Sequence, residues 1–548
     1  MSSESDKPLI NLKAKVVLVV DDFFNFRLTL KTMLRSFGIA YIDDASTGED
    51  AIKKLSVRKY DIVLCDYNLG PGKSGQQVLE EAKFREYIDY TSVFIMVTAE
   101  NTMEMVMGAA EYAPDDYLMK PFAKEVLEKK ITNIVEKKDN LKDIEKRLKE
   151  NDYSGAINLC EILMETSPRN LSELMKLKGE ILLKKGSYQE ASEYYAKVLL
   201  NGDVVWAELG RGKANFMLGK YEQASRIFES IISKNDKVMQ AYDYLAKCMM
   251  KLNLPSDAQK VLMAATSISP KAILRQKELG NIAYGNEDYS TAESSFKSAV
   301  EQGKTSCFKS PSDYTSLAKT LVQSDASEEG LDVLKDAVKA FPNNPDARLH
   351  VSATESYVYK KMNRNEEAQK AMSESQELVK ELHGQISTET MLDLAKAHII
   401  MGEESKGTEI LRQIVRGNHD NDDMLHNVHL VFKETGMEAK GDSIIEAARE
   451  EIIQLNDQGV QLAQDGKLTE AIAYFEEAAT KLPENKIINA NAAQILMLYM
   501  KEKGINEKQL TKAKTYLDRV RKIDEAYKDI PLLLSMYREL VPEVNNGK

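Results

Sequence analysis

Two patterns of hydrophobic and polar residues divide the chain near residue 136. Before it, short apolar runs alternate with segments whose apolar residues recur every three or four positions. The runs predict buried β-strands, and the recurring pattern predicts amphipathic helices. The predicted strands are VVLVV (16–20), IAYIDD (39–44), DIVLC (61–65), SVFIMV (92–97) and DYLM (116–119). This alternation predicts an α/β doubly wound fold with a five-stranded parallel sheet covered by helices on both faces.

Helices are predicted in every gap between these strands. Their sequences are FRLTLKTMLRSF, GEDAIKKLSVRK, SGQQVLEEAKFR and TMEMVMGAAEY (102–112), and a last helix follows over AKEVLEKKITNIVEKK. From residue 122 to 154 there is neither glycine nor proline, so the last helix is expected to continue almost directly into the next region, with KKDN (137–140) as a short break. Leucine or isoleucine recurs every seven residues at 127, 134, 141 and 148, which suits a helix packed along one seam.

Polar residues end four of the predicted strands. Asp21 and Asp22 follow the first strand, Asp66 the third, Thr98 the fourth and Lys120 the fifth. Ligands of open α/β sheets bind at the carboxyl ends of the strands, so these side chains should converge. Clustered carboxylates repel one another unless a hard cation such as Mg²⁺ lies among them. A metal ion and an ammonium group beside a carboxylate suit the transfer of a phosphoryl group onto it.

Four segments carry a resemblance to a known family. They are VVDDFFNFR (19–27), VLCDYNL (63–69), MVTAE (96–100) and YLMKPF (117–122). Together they resemble the receiver domain of two-component response regulators, and chemotaxis-type receivers in particular. The resemblance covers about a fifth of the chain.

The resemblance implies a role for each residue at the strand ends. Asp66 matches the phospho-accepting aspartate. Asp21, Asp22 and the backbone carbonyl of Asn68 match the groups that hold Mg²⁺ together with Asp66. Lys120 matches the lysine that contacts the phosphoryl group. The expected donor of that group is a cognate histidine kinase or phosphotransfer protein.

Further positions are implied to control switching and lifetime. Thr98 and Tyr117 match the hydroxyl and aromatic residues that move on activation. Asn68 and Glu100 match the positions that influence hydrolysis, and this pair also occurs in chemotaxis-type receivers. We therefore expect a short-lived phosphoryl state.

The loop after the third strand departs from the family pattern. Leu69 and Gly70 replace the usual Met-Pro pair, and Gly75 supplies the later glycine. The extra glycine predicts a looser loop beside Asp66. The Lys120–Pro121 bond is cis in the family.

Beyond residue 140 the chain repeats one helical unit. GSYQEASEYYAKVL (186–199), GKYEQASRIFESII (219–232) and GKLTEAIAYFEEAATKLP (466–483) are visibly alike. A period of about 34 residues with small, aromatic and proline positions resembles tetratricopeptide repeats, and roughly nine units fit before residue 530. This predicts an all-α solenoid whose concave groove binds a protein partner.

Composition limits the classes of function that this protein can have. The net charge is −12, and no basic stripe or DNA-reading motif stands out, so we expect no nucleic-acid binding. No apolar run is long enough for a secretion signal or for membrane insertion. The four cysteines are far apart and follow no pattern, so we expect thiols in a reducing cytoplasm and no metal or disulfide framework. An enzyme would have to use the His419–His429 segment, which is better explained as a solvated loop leading into a helix.

We therefore expect a short N-terminal tail (1–14), a receiver domain (15–136) and a repeat solenoid (137–548). The predicted function is a cytoplasmic response regulator that controls a protein partner, with receiver phosphoryl transfer and self-dephosphorylation as its only chemistry. The alternative is a constitutive assembly scaffold whose receiver serves docking or dimerisation, and a homodimer stays open. We expect phosphorylation to act on the solenoid, or on receiver pairing, through Thr98, Tyr117 and the last receiver helix.

Overall fold

A computed structural model describes residues 12–99, 114–166, 170–382, 386–524 and 527–541. Its five strands confirm the predicted sheet. They are β1 (Val16–Val20), β2 (Tyr41–Ala45), β3 (Ile62–Asp66), β4 (Val93–Thr98) and β5 (Asp116–Met119). All neighbours are parallel, in the order β2-β1-β3-β4-β5. The second strand begins two residues later than predicted, and the helix predicted over 102–112 lies outside the described residues.

Helices cover both faces of the sheet. They are α1 (Phe24–Ser36), α2 (Gly48–Val57), α3 (Gly75–Phe84) and α4 (Lys124–Asp139), numbered over the described residues. Along β1, Val17 and Val19 pack with α1 and α4, whereas Leu18 and Val20 pack with α2 and α3. Successive side chains of a strand point to opposite faces, which explains why the whole run is apolar.

The junction after α4 contains a real break. Helix α4 ends at Asp139, and Asn140 and Leu141 separate it from α5 (Lys142–Lys149). The seven-residue seam is divided between two cores, because positions 127 and 134 pack in the receiver core and positions 141 and 148 pack in the first repeat core. The salt bridge between Lys15 Nζ and Asp139 Oδ1, at 2.9 Å, fixes the end of α4 beside β1.

Helices follow one another through the rest of the described chain. They are α6 (Tyr153–Thr166), α7 (Leu171–Lys184), α8 (Tyr188–Leu199), α9 (Val205–Met217), α10 (Tyr221–Lys234), α11 (Met239–Lys251), α12 (Pro255–Ile268), α13 (Ile273–Gly285), α14 (Tyr289–Gly303), α15 (Pro311–Gln323), α16 (Ser327–Ala340), α17 (Pro345–Lys361), α18 (Asn365–Leu382), α19 (Thr388–Ile400), α20 (Glu404–Gly417), α21 (Asp422–Glu434), α22 (Glu438–Gln464), α23 (Leu468–Lys481), α24 (Lys486–Lys503), α25 (Glu507–Ile523) and α26 (Ile530–Leu540). None of the helices in the described ranges is long and apolar enough to cross a membrane.

The small and large residues of the repeat pattern pack against each other. A Cβ atom on Gly179 would lie 2.5 Å from the ring of Tyr195, and one on Gly210 would lie 2.3 Å from the same ring. The Tyr195 ring therefore fills the space between its own unit and the next one. Gly212 makes the same close approach to Phe228, at 2.6 Å.

The described residues fall into two compact units. The first comprises those within Met1–Leu183, Ser187–Asn286 and Lys297–Lys309, so it includes the sheet and the first repeats. The second comprises those within Lys184–Gly186, Glu287–Phe296 and Ser310–Lys548.

Candidate functional site: an acidic cluster at the carboxyl edge of the sheet

The parallel register brings the predicted site residues to one edge. Val20 of β1 pairs with Cys65 of β3, so Asp21 follows β1 beside Asp66. Strand β4 ends with the buried Thr98, whose carbonyl accepts the backbone N–H of Lys120 at 2.7 Å. The four strand ends that the sequence singled out therefore meet.

Three carboxylates and one ammonium group form the centre of the site. One carboxylate oxygen from each of Asp21, Asp22 and Asp66 lies within 4.8 Å of the others. Lys120 Nζ donates to Asp21 Oδ2 at 2.7 Å and to Asp66 Oδ2 at 2.8 Å. Asp21 and Asp66 are buried, whereas Asp22 is exposed. One side of the cluster is thus neutralised by lysine and the other side faces solvent.

Burial and charge act in opposite directions on these groups. Burial is the main reason why the pKa of Asp66 is raised; the neighbouring Asp21 raises it as well, and Lys120 partly offsets both. The pKa of Lys120 is also raised, because its hydrogen bonds to the two carboxylates outweigh the effect of its own burial. The site therefore favours the charged form of Lys120, whereas burial and Asp21 disfavour the ionised form of Asp66.

Arg27 positions the acidic pair, a role that was not predicted from the sequence. Its guanidinium donates to the backbone carbonyl of Asp21 at 2.7 Å and to that of Asp22 at 3.1 Å. A salt bridge to Asp44 at 3.0 Å holds the guanidinium itself. The backbone N–H of Phe23 donates to Asp21 Oδ1 at 2.8 Å, which fixes the carboxylate. The only signal for this role is the arginine six residues after Asp21 in VVDDFFNFR.

The side chain of Lys120 also contacts an aromatic ring. The Nζ atom of Lys120 lies 4.2 Å from the ring centroid of Phe26, within the range of a cation–π interaction. The rings of Phe26 and Phe122 make an edge-to-face contact at 6.0 Å. The peptide bond between Lys120 and Pro121 is cis.

The loop after Asp66 is better anchored than its glycines suggested. Asn68 is exposed and its side chain accepts the N–H of Gly70 at 3.2 Å. Leu69 is buried in the core, and the backbone N–H of Lys73 donates to Glu49 Oε1 at 2.9 Å. Leu69 and Glu49 therefore hold the chain on either side of Gly70 and Gly72, and the looser loop stays a prediction.

Gly75 is the glycine that the site requires. A Cβ atom there would lie 2.0 Å from the backbone carbonyl oxygen of Asp66, so α3 begins in direct contact with the backbone of that residue. The N–H of Gly75 donates to the carbonyl of Tyr67 at 2.9 Å.

Two of the predicted site residues remain, Tyr117 and Glu100. Tyr117 is 36% exposed on β5, and burial together with the neighbouring Tyr67 raises its pKa to about 12. Glu100 lies outside the described residues.

The His419–His429 segment does not form a comparable cluster. Only residues 419–421 form a short loop, and residues 422–429 belong to α21. His419 is buried with its Nδ1 3.1 Å from Asn485 Nδ2. His429 instead contacts Asp442 at 2.9 Å. Within the described ranges, the group of carboxylate, thiol or imidazole ligands close enough to share a metal ion is Asp21, Asp22 and Asp66. Three carboxylates are the oxygen donors that Mg²⁺ prefers, so this set fits that ion.

Comparison with known proteins defines the class. The model of the response regulator receiver domain matches residues 17–132, and a tetratricopeptide repeat model matches residues 174–200. The chemotaxis protein CheY of Pseudomonas aeruginosa is 33% identical over 121 residues, which are 22% of this chain and 96% of that protein. Chemotaxis protein CheY-3 of Vibrio cholerae is 32% identical over 129 residues, 24% of this chain and 97% of that protein.

Among solved structures, chemotaxis protein CheY4 of Vibrio cholerae is similar to 22% of this chain over 98% of its own length, with 24% identity and a TM-score of 0.21. The chain carries a two-component receiver joined to helical repeats. It belongs to the response regulator receiver family.

Proposed function

We propose that this protein is a response regulator whose Asp66 accepts a phosphoryl group from a histidine kinase or phosphotransfer protein. One observation carries the proposal: Lys120 bridges two buried aspartates that lie beside a third, at the carboxyl edge of a parallel sheet. A structural ion pair would need one carboxylate, whereas this cluster leaves excess negative charge open to solvent on the Asp22 side. That arrangement suits a site that receives a cation and a phosphoryl group together.

The reaction transfers a phosphoryl group from a histidine nitrogen to the carboxylate of Asp66. An Asp66 carboxylate oxygen attacks the phosphorus of a phosphohistidine, the new O–P bond forms as the N–P bond breaks, and the imidazole nitrogen leaves with its electron pair. Asp21, Asp22, Asp66 and the carbonyl of Asn68 would hold Mg²⁺, which offsets charge on the phosphoryl oxygens when bound. Lys120 stays protonated and, one hydrogen bond from Asp66, neutralises charge as the group arrives.

Two further pairs of residues are assigned to signalling and to removal of the phosphoryl group. Thr98, buried at the end of β4, and Tyr117 on β5 would report the phosphoryl group to the rest of the receiver. Asn68 and Glu100 would orient the water that removes it, which gives a short-lived signal. An aspartyl-phosphate lifetime of hours in the purified protein would contradict this last point.

The experiment that tests phosphorylation uses the full-length protein. It is incubated with Mg²⁺ and a small phosphodonor such as acetyl phosphate, and its intact mass is followed with time. We expect one added phosphoryl group that hydroxylamine removes, as it does from acyl phosphates. Asp66→Asn should abolish the gain, and Asp143→Asn, which changes an exposed aspartate of α5, should leave it intact. Equal labelling of wild type and Asp66→Asn would refute the assignment.

The repeat array is proposed to bind a protein partner in the cytoplasm, as a phosphorylation-controlled output. Tetratricopeptide-like units expose repeated side chains along a surface and carry no compact catalytic set in the sequence. A pull-down with the full-length protein in Mg²⁺, with and without beryllofluoride, tests the control. A partner captured in one state supports the switch, and identical partners in both states favour a constitutive scaffold.

A further inference from the structure

A turn of the repeat region contacts the receiver along α3 and at the loop before it. We name residues 304–309, KTSCFK, the docking turn. Lys73 Nζ, in the loop before α3, donates to the backbone carbonyl of Thr305. The hydroxyl of Thr305 donates to Gln77 Oε1 at 3.1 Å. Main-chain and side-chain groups of one turn residue are thus both bonded to the receiver.

The receiver groups in this contact are held in place by their own helix. Gln77 Oε1 also accepts the backbone N–H of Ser74 at 3.1 Å, as part of the capping box that starts α3. Lys73 Nζ forms a salt bridge at 3.0 Å with Glu81, which lies one turn of α3 beyond Gln77. The start of α3 therefore presents one acceptor and one ammonium donor in fixed positions to the docking turn.

An aromatic contact closes the other end of the interface. The rings of Phe84, the last residue of α3, and Phe308 lie 4.9 Å apart in an edge-to-face arrangement. Lys277 Nζ of α13 donates to the carbonyl of Phe308 at 2.5 Å and so ties the docking turn to the repeats. Phe84 is still 61% exposed, which indicates a small contact that opens without disrupting either core.

We infer that the α3 face of the receiver is an internal binding surface for the docking turn, and that loading Asp66 with a phosphoryl group weakens this contact. The occupant is a segment of this same chain, held by Lys73, Gln77 and Phe84. The second clause rests on the proposed function. This surface differs from the Thr98–Tyr117 side to which the sequence pointed.

The loop between Asp66 and α3 supplies the physical link. Gly75 packs directly on the carbonyl of Asp66, and the Asn68 carbonyl proposed as a metal ligand lies between them in sequence. Drawing Asn68 towards an ion and a phosphoryl group displaces a loop whose far end carries Lys73 and starts the helix that carries Gln77. Under this inference the loop takes a different position when Asp66 is loaded, so occupation of one site disfavours occupation of the other.

Cys307, within the docking turn, can report whether the turn is docked on the receiver. Burial, with Glu80 and Glu81 of α3 beside the thiol, raises the pKa of Cys307 to about 11. The other three cysteines are free and buried. Undocking removes the cover and the two carboxylates together, so the thiolate fraction and the access of a reagent both increase.

The test measures the alkylation rate of Cys307 in the full-length protein at pH 8, by quenching iodoacetamide reactions and quantifying each cysteine peptide by mass spectrometry. The variants are Lys73→Ala and Thr305→Ala, with Lys53→Ala on the exposed face of α2 as the matched control. We expect Lys73→Ala to increase the alkylation rate of Cys307 roughly 10- to 100-fold, and Thr305→Ala to increase it less. In Lys53→Ala, Cys307 should be alkylated at the wild-type rate. Unchanged rates at Cys65 and Cys160 in the same digests show that the cores remain folded.

Beryllofluoride with Mg²⁺ tests the coupling, and its binding is followed independently by fluorine NMR. Faster alkylation of wild type, but not of Asp66→Asn, supports the inference. Bound beryllofluoride with an unchanged Cys307 rate overturns the coupling and leaves the proposed function standing. Absence of binding at Asp66 refutes the proposed function and the coupling with it. Wild-type rates in both Lys73→Ala and Thr305→Ala overturn the docking surface itself.

Discussion

Gly75→Ala is the single substitution that most directly tests how the site is built. The added methyl carbon would lie 2.0 Å from the carbonyl oxygen of Asp66, whereas close C···O contacts in proteins are about 3.3 Å or longer. The obstacle is backbone, so no side-chain rotation relieves it, and α3 must move by roughly 1 Å relative to Asp66. Such overpacking costs about 1–3 kcal/mol.

The helix preference of alanine opposes this cost only weakly. It is worth at most about 1 kcal/mol over glycine inside a helix, and Gly75 is the first residue of α3, where the gain is smaller. We therefore expect a net loss of about 2 kcal/mol in the local free energy of unfolding. Amide hydrogens of β3 and α3 that exchange through local opening should then exchange roughly 30-fold faster.

Hydrogen exchange of the full-length protein, read by mass spectrometry of β3 and α3 peptides, measures this effect. Gly417→Ala is the matched control, because its nearest neighbour, the Cβ of Glu484, would be 3.7 Å from the new carbon. It should leave exchange in its own helix unchanged or slower. We also expect Gly75→Ala to slow phosphorylation of Asp66. Wild-type exchange in β3 and α3 of Gly75→Ala would show that the contact between α3 and Asp66 is not as close as described.

Three further substitutions test the electrostatics and the repeat packing. Lys120→Ala removes the cation from two buried carboxylates and should cost about 3 kcal/mol of stability without Mg²⁺, measured by denaturant unfolding in EDTA; an unchanged midpoint would contradict the bridging role. Because the pKa of Asp66 is raised in the folded chain, its contribution to stability is full below the ordinary aspartate pKa and is lost as pH rises through the raised value. Asp66→Asn should therefore melt higher than wild type at pH 7, by a margin that shrinks on acidification; a margin independent of pH would refute the assigned cause. Gly212→Ala should destabilise its repeat by about 1–2 kcal/mol, since the new carbon would lie 2.6 Å from the Phe228 ring, and thermal unfolding that matches wild type would show that the ring moves aside.

Local sequence was sufficient to predict the strands and the acidic cluster. The apolar runs predicted all five strands to within two residues. Strands β1, β3 and β4 were visible because a strand buried on both faces has few polar positions. The acidic residues at strand ends predicted the cluster, because parallel strands place their carboxyl ends at one edge. Repeat units were visible because each must satisfy the same packing between neighbours, as Tyr195 does with the glycines on either side.

Contacts between residues distant in sequence were not visible in any motif. Arg27 looked like an ordinary helix residue, and only the fold shows that it holds the carbonyls of Asp21 and Asp22. Nothing local in the glycine-rich loop indicates that Glu49 accepts the backbone N–H of Lys73.

The sequence by itself determined that a receiver-like sheet, an acidic cluster and helical repeats lie in one chain, since each depends on local periodicity and on residues at strand ends. Only the tertiary structure decided which surface of the receiver meets the docking turn. Lys73 and Thr305 are 232 positions apart, and neither carries a local signal of its partner. Their meeting depends on the accumulated geometry of the helices between them, which no short pattern of hydrophobic and polar residues encodes.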